Sequence, residues 1–171
     1  MVDPAQMLQG RTRETKIRRD NEGRWFNGEE AITHPLLRQA FDAWLIPAPD
    51  GSGRWALSNS INWAFVAIEG PPRFVRSAVV SDDHVALSVS DGQTVRLAIE
   101  SMREGPEGAL YCDVPGPDGR LAARFDRSAM MQLASVIDED EDGVFLRLGK
   151  ERVRPPRVAD PLSVAAAEDS E

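Results

Sequence analysis

Apolar residues recur at helical spacing in one segment of the first third of the chain. They lie at positions i, i+3, i+4, i+7 and i+8, which places them on one face of a helix. Thr33 is a candidate N-cap, and Pro35 falls in the first turn, where its missing N–H costs nothing. Pro47 and Pro49 then end the predicted helix. If Trp44 is buried, its replacement by Ala should cost about 3–5 kcal/mol. The apolar face consists of Leu37, Ala40, Phe41, Trp44 and Leu45.

A second segment predicts a shorter helix that begins after Asp126, its candidate N-cap. The helix should stop early in the acidic run at 138–142, because carboxylates at a helix C-terminus oppose the helix dipole. Residues 144–148 then alternate as a strand. The order of turn, strand, helix, turn and strand in 119–148 is also that of 23–57, which suggests two similar halves. The apolar positions of this second helix are Met130, Leu133, Ala134 and Ile137.

The rest of the chain is patterned as short strands between glycine- and proline-rich turns. Residues 73–80 and 85–90 alternate around a turn and predict a hairpin, whereas 63–68 are continuously apolar and predict a strand covered on both faces. The pattern predicts an α+β fold in which each half packs a helix on a small antiparallel sheet. We expect a flexible arm at 1–14, an N-terminal half at 15–70, a C-terminal half at 71–157 and a disordered acidic tail at 158–171.

Charge and composition narrow the functional classes. The 171 residues carry a formal net charge of −8, which disfavours general nucleic-acid binding because phosphates are repelled. We expect no membrane span, no secretory signal and a cytoplasmic location, where the single cysteine would stay reduced. Two basic clusters could meet as one patch or could be solvated faces that offset nearby carboxylates. These clusters are Arg11, Arg13, Lys16, Arg18, Arg19 and Arg24, and Lys150, Arg152, Arg154 and Arg157.

Familiar catalytic and cofactor motifs are missing from the sequence. His34 and His84 have no partner at metal-ligand spacing, so we expect no zinc site and no cofactor. Cys112 follows Tyr111 in a predicted strand and is interpreted as a small buried hydrophobe. An enzyme with an unrecognised site stays an alternative. It would use Asp82, Asp83 and His84, or Tyr111 and Asp113.

A calcium loop is a further alternative. Asp138, Asp140 and Asp142 match the front of such a loop, but a glycine stands at 149, where the closing bidentate Glu is needed. A solvated acidic hairpin is the simpler interpretation.

Two arginines and several tryptophans are the candidate binding residues. Arg124 and Arg127 lie next to the start of the second helix, where guanidinium groups and free amides could hold an anion. The alternative is a structural ion pair with nearby carboxylates. Trp25, Trp55 and Trp63 could line a peptide groove, although tryptophans in strands usually belong to the core.

Scattered positions between about residues 15 and 148 resemble the bacterial domain-of-unknown-function family 1285. The opening and middle patterns of the family are matched by Ile17, Asp20, Gly23, Trp25, Gly28, Ile32, Leu37, Phe41, Glu69 and Pro72. The later pattern is matched by Tyr111, Leu121, Ala123, Arg124, Arg127 and Leu133. The chain departs from the family at Asn59-Ser60-Ile61-Asn62, where the family has Thr-Pro-x-Glu, and near Ser90-Asp91, where a Thr-Asn pair is replaced.

The resemblance implies a duplicated α+β core whose second half is similar to pleckstrin-homology-like folds. It also implies a ligand or partner site in the groove between the halves and a suspected signalling role. Because Asn62 stands where the family has its Glu, a site built on that carboxylate is not implied here.

We therefore expect a non-catalytic binding or signalling module whose partner is a protein segment or a small anionic ligand. The enzyme above is one alternative, and nucleic-acid binding through the basic terminal segments is another, which the net charge disfavours. The expected site lies between the two halves, near Arg124, Arg127, Asn62, Tyr111 and Trp25.

Overall fold

A computed structural model describes residues 12–164 of the chain. Most of the predicted flexible arm, 1–11, and the end of the predicted tail, 165–171, lie outside the described residues. The chain divides into two compact units, Met1–Pro72 and Arg73–Glu171. Each unit has its own sheet and its own apolar core.

The N-terminal unit is a mixed six-stranded sheet with a helix. Its elements are β1 (Ile17–Arg19), β2 (Trp25–Asn27), β3 (Glu30–Ala31), α1 (Pro35–Trp44), β4 (Leu45–Pro47), β5 (Trp55–Ser58) and β6 (Trp63–Ile68). The strand order is β3-β2-β1-β6-β5-β4. The neighbours are antiparallel except for β1 and β6, which are parallel and join the two antiparallel trios.

Helix α1 occurs where the sequence predicts it, but both of its ends differ from the prediction. The N-cap is His34 and not Thr33, because the His34 Nδ1 accepts a hydrogen bond from the Leu37 amide at 3.4 Å. The helix ends at Trp44, before either proline, because Leu45 pairs with Leu57 in the sheet. Tertiary pairing therefore overrides the helical pattern at Leu45.

The core of the N-terminal unit is built on two aromatic rings. Trp25 and Phe41 are 1% and 2% exposed, and their ring centroids lie 5.4 Å apart in an edge-to-face arrangement. Trp44, which the sequence favours equally as an anchor, is only half-buried at the edge of this cluster. The Trp25 indole N–H donates to the Asp42 carboxylate at 2.9 Å, so its one polar group is satisfied within the core.

The C-terminal unit contains a second six-stranded sheet, a short helix and a small third sheet. Its strands and helix are β7 (Arg73–Val80), β8 (Val85–Val89), β9 (Thr94–Arg96), β10 (Arg103–Glu104), β11 (Leu110–Gly116), β12 (Gly119–Phe125), α2 (Arg127–Gln132), β13 (Ile137–Asp140), β14 (Gly143–Leu148) and β15 (Glu151–Val153). Short 3₁₀ turns occupy Ile99–Ser101, Pro106–Gly108 and Leu133–Ser135. The large sheet has the order β10-β11-β12-β7-β8-β9, and the small one β13-β14-β15.

Helix α2 begins at the predicted cap and ends sooner than expected. Asp126 accepts a hydrogen bond from the Ala129 amide at 3.0 Å, which confirms it as the N-cap. The helix has six residues, and Ile137 belongs to β13 and not to the helical face. The acidic run is largely a strand, because Ile137 and the residues after it pair with β14. The predicted β7–β8 hairpin is confirmed by the pairing of Val80 with Val85.

The two large sheets share one topology, which confirms two similar halves. In each, the first strand of the first antiparallel trio lies parallel to the last strand of the second, β1 with β6 and β7 with β12. The sheets are therefore mixed and not purely antiparallel as predicted. Along the sequence, the helix of the N-terminal unit comes between the two trios of strands, whereas the helix of the C-terminal unit comes after both trios. Residues 23–57 and 119–148, which suggested the duplication, are thus not equivalent in the two sheets.

The C-terminal segment differs from the prediction of a disordered tail from residue 158. Its described part lies along β10, where the Glu104 amide donates to the Pro156 carbonyl at 2.8 Å and the Val158 amide donates to the Glu104 carbonyl at 2.9 Å. Pro155 and Pro161 are buried. We call residues 155–162 the strap. The predicted arm is likewise bound at its end, where Glu14 pairs with Arg54.

Candidate binding surfaces

One face of the N-terminal sheet carries aromatic rings covered by guanidinium groups. The Arg13 guanidinium carbon lies 4.0 Å from the centroid of the Trp63 ring, and that of Arg54 lies 3.6 Å from the Phe65 ring. A third pair lies beside them, with Arg18 4.2 Å from the ring of Phe26. Such contacts combine cation–π attraction with stacking of the planar guanidinium group. We call this surface the cationic face, and it comprises Arg13, Lys16, Arg18, Arg54, Phe26, Trp63 and Phe65.

The strand alternation of β6 creates the cationic face. Ala64 and Val66 point into the core, so Trp63 and Phe65 point to the opposite side and are half-buried. The sequence predicted that this strand would be covered on both faces, but only its inner face is buried. On the outer face Ala67 is exposed, and the two rings are covered by arginine side chains. Arg18 pairs in register with Ala67 and therefore lies on the same outer face.

The segment before β1 extends the same surface. The Phe65 amide donates to the Arg13 carbonyl at 2.7 Å, and the Thr15 hydroxyl donates to the Phe65 carbonyl at 2.6 Å. These bonds hold the chain from Arg13 onward alongside β6. The Arg13 guanidinium also donates to the Trp63 carbonyl at 2.6 Å, which fixes its position over the ring.

The charges of this surface are only partly neutralised. Glu14 makes a bidentate pair with Arg54 at 2.6 and 2.9 Å, and these hydrogen bonds lower the pKa of Glu14 below its usual value. Within residues 12–164, by contrast, Arg13, Lys16 and Arg18 form no ion pair. The Arg18 Nε donates to the Gly28 carbonyl at 2.9 Å, and this bond holds the guanidinium group near the ring of Phe26.

Two open grooves adjoin Lys16 and Arg54 of the cationic face. One has a volume of about 460 Å³ and is lined by Glu14, Thr15, Lys16, Ile17 and Asn27. The other has a volume of about 300 Å³, shares Thr15 and runs along β6 beside Arg54 and Phe65. The surface therefore offers cations, apolar floor and concave space together, which suits an extended ligand with negative charge.

The site residues predicted from the sequence are distributed between the two units. Trp25 and Asn62 belong to the N-terminal unit, and the other three belong to the C-terminal unit. Trp25 is 1% exposed and lies in the core, so its prediction as a groove residue is wrong. Asn62 lies in the turn between β5 and β6, where its backbone N–H donates to the side-chain oxygen of Asn59 at 2.9 Å.

The C-terminal candidates lie on or beside the β11–β12 pair. Tyr111 pairs in register with Arg124, so their side chains share one face of the sheet. The Arg124 guanidinium lies 5.2 Å from the ring of Phe74, and Tyr111 is 7% exposed. Arg127 is exposed at the first residue of α2. The structure brings Tyr111 and Arg124 together, and anion binding by Arg127 stays a prediction.

The candidate carboxylates for calcium are arranged differently from a cation cage. Asp140 receives one hydrogen bond from Arg152 and one from Arg154, at 2.5 Å each, and the bond from Arg154 lowers the pKa of Asp140 below its usual value. Asp138 lies 3.8 Å from the Arg147 guanidinium. Among the described residues, no group of three or more His, Cys, Asp or Glu side chains is placed to hold a metal ion.

The candidate catalytic groups have separate structural surroundings. Asp82 and Asp83 are exposed in the β7–β8 turn, and His84 lies 2.8 Å from Asp83. Asp113 is buried against Arg103 at 2.8 Å. Burial raises the pKa of the Cys112 thiol to about 12, so the thiol is protonated at neutral pH. These groups give no support to a catalytic set.

Sequence reasoning noticed the N-terminal basic cluster but missed its association with aromatic rings. Arg13 and Trp63 are 50 residues apart, and the long separation hides their contact from local patterns. The signal that could have revealed the face was the alternation within β6, because it sends Trp63 and Phe65 to the side opposite Ala64 and Val66. No local sequence pattern indicated that Arg54 lies over the Phe65 ring.

The chain is similar to known proteins in its fold and not in its sequence. No family model matches the chain, and no curated protein matches it significantly. The described helices include none long and apolar enough to cross a membrane. The chain is thus defined by its architecture, an α+β protein with two mixed six-stranded sheets of the same strand order.

Two solved structures have a similar fold. One is a DUF1285 family protein from Silicibacter pomeroyi DSS-3, with a TM-score of 0.61 and 16% identity over 88% of this chain and 85% of that one. The other is a DUF1285 family protein from Shewanella baltica OS155, with a TM-score of 0.51 and 15% identity over 72% of this chain and 94% of that one. The chain therefore has a DUF1285-like fold, and at these identities the likeness concerns the fold alone.

Proposed function

We propose that this protein is a non-catalytic binding module that takes up a short acidic segment of a partner protein along the cationic face. The observation that carries the proposal is that Arg13, Lys16 and Arg18 have no carboxylate partner within residues 12–164. Lys16 also lines one of the two grooves. A guanidinium group above a ring keeps its outer edge available, and that edge matches a carboxylate in bidentate geometry.

The geometry suits an extended peptide. Trp63 and Ala67 are four residues apart in β6 and span about 13 Å at about 3.3 Å per residue. A ligand strand of the same length has its alternate side chains on one side. Acidic residues at alternate positions of a five-residue segment would therefore face the cations of this surface.

A short acidic segment is favoured over a nucleic acid by the charge of the whole chain. The net charge of −8 repels a long polyanion, whereas a local cluster attracts a short one within a Debye length of about 8 Å at physiological salt. Glu29 and Glu30 are exposed at the β2–β3 turn, so this edge of the sheet carries negative charge.

We further propose that the chain is a divergent member of the DUF1285 family, acts in signalling and resides in the cytoplasm. The fold likeness and the matched positions Ile17, Trp25, Arg124 and Arg127 support the membership. A buried, protonated lone thiol is compatible with a reducing compartment. Sequences intermediate between this chain and the DUF1285 family would support the membership if they match both at these four positions. An alignment in which the four positions do not correspond would oppose it.

The experiment is a fluorescence anisotropy titration with a labelled Glu-Thr-Glu-Thr-Glu peptide. Lys16→Glu should weaken binding at least fivefold, because the ammonium has no competing partner among the described residues and the change reverses its charge. Arg38→Glu is the matched control, since Arg38 is exposed on α1 and makes the same charge change in the same unit. Binding should also weaken as salt rises from 50 to 300 mM.

Three results would oppose this assignment. Equal loss in the Lys16→Glu and Arg38→Glu variants would indicate a general charge effect. Loss in an Arg127→Glu variant alone would place the anion site at helix α2, as the sequence suggested. Stronger retention of a single-stranded oligonucleotide than of the peptide would favour the nucleic-acid alternative.

A further inference from the structure

The strap is held mainly through its backbone. Two hydrogen bonds join it to Glu104, one from the Glu104 amide to the Pro156 carbonyl at 2.8 Å and one from the Val158 amide to the Glu104 carbonyl at 2.9 Å. Arg157 and Glu104 form a parallel bridge between these bonds. The strap therefore acts as an additional strand on the β10 edge, and such pairing depends little on which side chains the added strand carries.

Arg103 recognises a third backbone group of the strap. Its Nε donates to the Pro161 carbonyl at 2.7 Å, while its Nη1 donates to the Asp113 carboxylate at 2.8 Å and to the Ser101 carbonyl at 2.9 Å. Asp113 and Ser101 thus fix the guanidinium group independently of the strap. The buried Nη2 has no hydrogen-bond partner among the described residues, which leaves its two N–H donors for another acceptor.

A small apolar contact selects proline at the end of the strap. A Cβ atom at Gly105 would come within 2.8 Å of the Tyr111 ring and 2.9 Å of the Pro161 ring. Glycine at this position leaves room for both the Tyr111 ring and the Pro161 ring, which lie close to it. Aromatic rings beside extended proline segments are a recurring recognition arrangement, because proline enters the site with little conformational entropy left to lose.

We propose that β10, Arg103, Gly105 and Tyr111 form a recognition groove for an extended proline-containing segment, and that the strap is its internal occupant. A segment of the same kind from another polypeptide displaces the strap and takes its place. Arg157 of the strap also forms an ion pair with Glu104. Because the Arg157 side chain is 74% exposed, this ion pair adds little to the stability of the bound strap. This groove belongs to the C-terminal unit and is independent of the cationic face.

Displacement can be measured with the full-length protein and a labelled peptide of residues 154–164. The internal strap competes at an effective concentration on the order of millimolar, so the intact protein should bind the peptide weakly. Val158→Pro in the protein removes one backbone donor of the strap, and peptide affinity should rise at least tenfold. The same change in the peptide should lower its affinity at least tenfold. Adding Gly105→Ala to the Val158→Pro protein should abolish binding by filling the space beside Tyr111.

Arg157→Ala is the control, since it removes an exposed side chain and leaves the backbone pairing intact. Equal peptide binding by the wild-type and Val158→Pro proteins would overturn the proposal, as would binding that survives Gly105→Ala. Hydrogen exchange on the wild-type protein gives a second test that does not depend on the variants. The Val158 amide should exchange at least a hundredfold faster than the amides that join β11 and β12, and equal protection would show a permanent edge strand.

Discussion

Arginine side chains have two different structural roles in this chain. Arg19, Arg73 and Arg103 are at most 8% exposed, and each lies within 4.0 Å of a carboxylate oxygen, which offsets the cost of burying its charge. Arg13 and Arg54 instead cover the half-buried aromatic rings of Trp63 and Phe65. The buried group is paired with carboxylates inside the fold. The exposed group belongs to the cationic face, on which we propose that a ligand binds.

The two aromatic residues of helix α1 should differ in their contribution to stability. Phe41→Ala should cost about 3–5 kcal/mol, because the ring is 2% exposed and packs on Trp25. Trp44→Ala should cost less than Phe41→Ala, since the indole is only half-buried. Urea unfolding of the two variants and the wild type measures both values. A larger loss for Trp44→Ala would contradict the placement of the core.

At this scale the sequence predicted positions better than partners. Periodicity correctly placed Phe41 in a core, and the Asp126 cap followed from its place before an apolar segment. The contacts of Arg13 with Trp63 and of Arg54 with Glu14 could not be predicted, because they join residues 50 and 40 positions apart. Trp25 was assigned to a groove because a tryptophan in a strand can lie either in a groove or in the core, and the local pattern does not distinguish the two.

Elements were predicted well where local signals and tertiary pairing agree. The β7–β8 hairpin and both helices agree with the sequence pattern in position. Disagreements occur where a neighbouring strand supplies backbone partners: Leu45 leaves the helix to pair with β5, and the strap pairs with β10. Neither partner is visible from the local pattern, since pairing satisfies backbone groups whatever the side chains prefer.

The small β13–β15 sheet should depend on the ionisation of Asp140. The hydrogen bond from Arg154 lowers the pKa of Asp140. The contribution of Asp140 to stability is therefore present above the pKa of the unfolded state and is lost as the pH falls through the lower folded-state pKa. Arg154→Ala should therefore raise the pKa of Asp140. Side-chain carboxyl NMR titration of the wild type and this variant measures the change, and an unchanged pKa would show that the pair does not persist in solution.

At the scale of the whole molecule, two sheets share one strand order while their helices occupy different places in the sequence. The prediction of two similar halves matched residues 23–57 with 119–148 because each segment contains a helix. The feature that the two units share is the strand order of the sheet, and the helices are not equivalent. The chain is acidic overall, with a net charge of −8, yet its N-terminal unit presents a local positive surface. We propose that an acidic segment binds to that surface, and we propose the strap groove as a separate site.

The measurement that tests the cationic face most directly is a titration of the acidic peptide into ¹⁵N-labelled protein, followed by amide chemical shifts. Shifts should concentrate at Arg13, Lys16, Arg18, Arg54 and Phe65, and they should diminish in the Lys16→Glu variant but not in Arg38→Glu. Shifts confined to the C-terminal unit, or none at millimolar peptide, would contradict the assignment of binding to this surface.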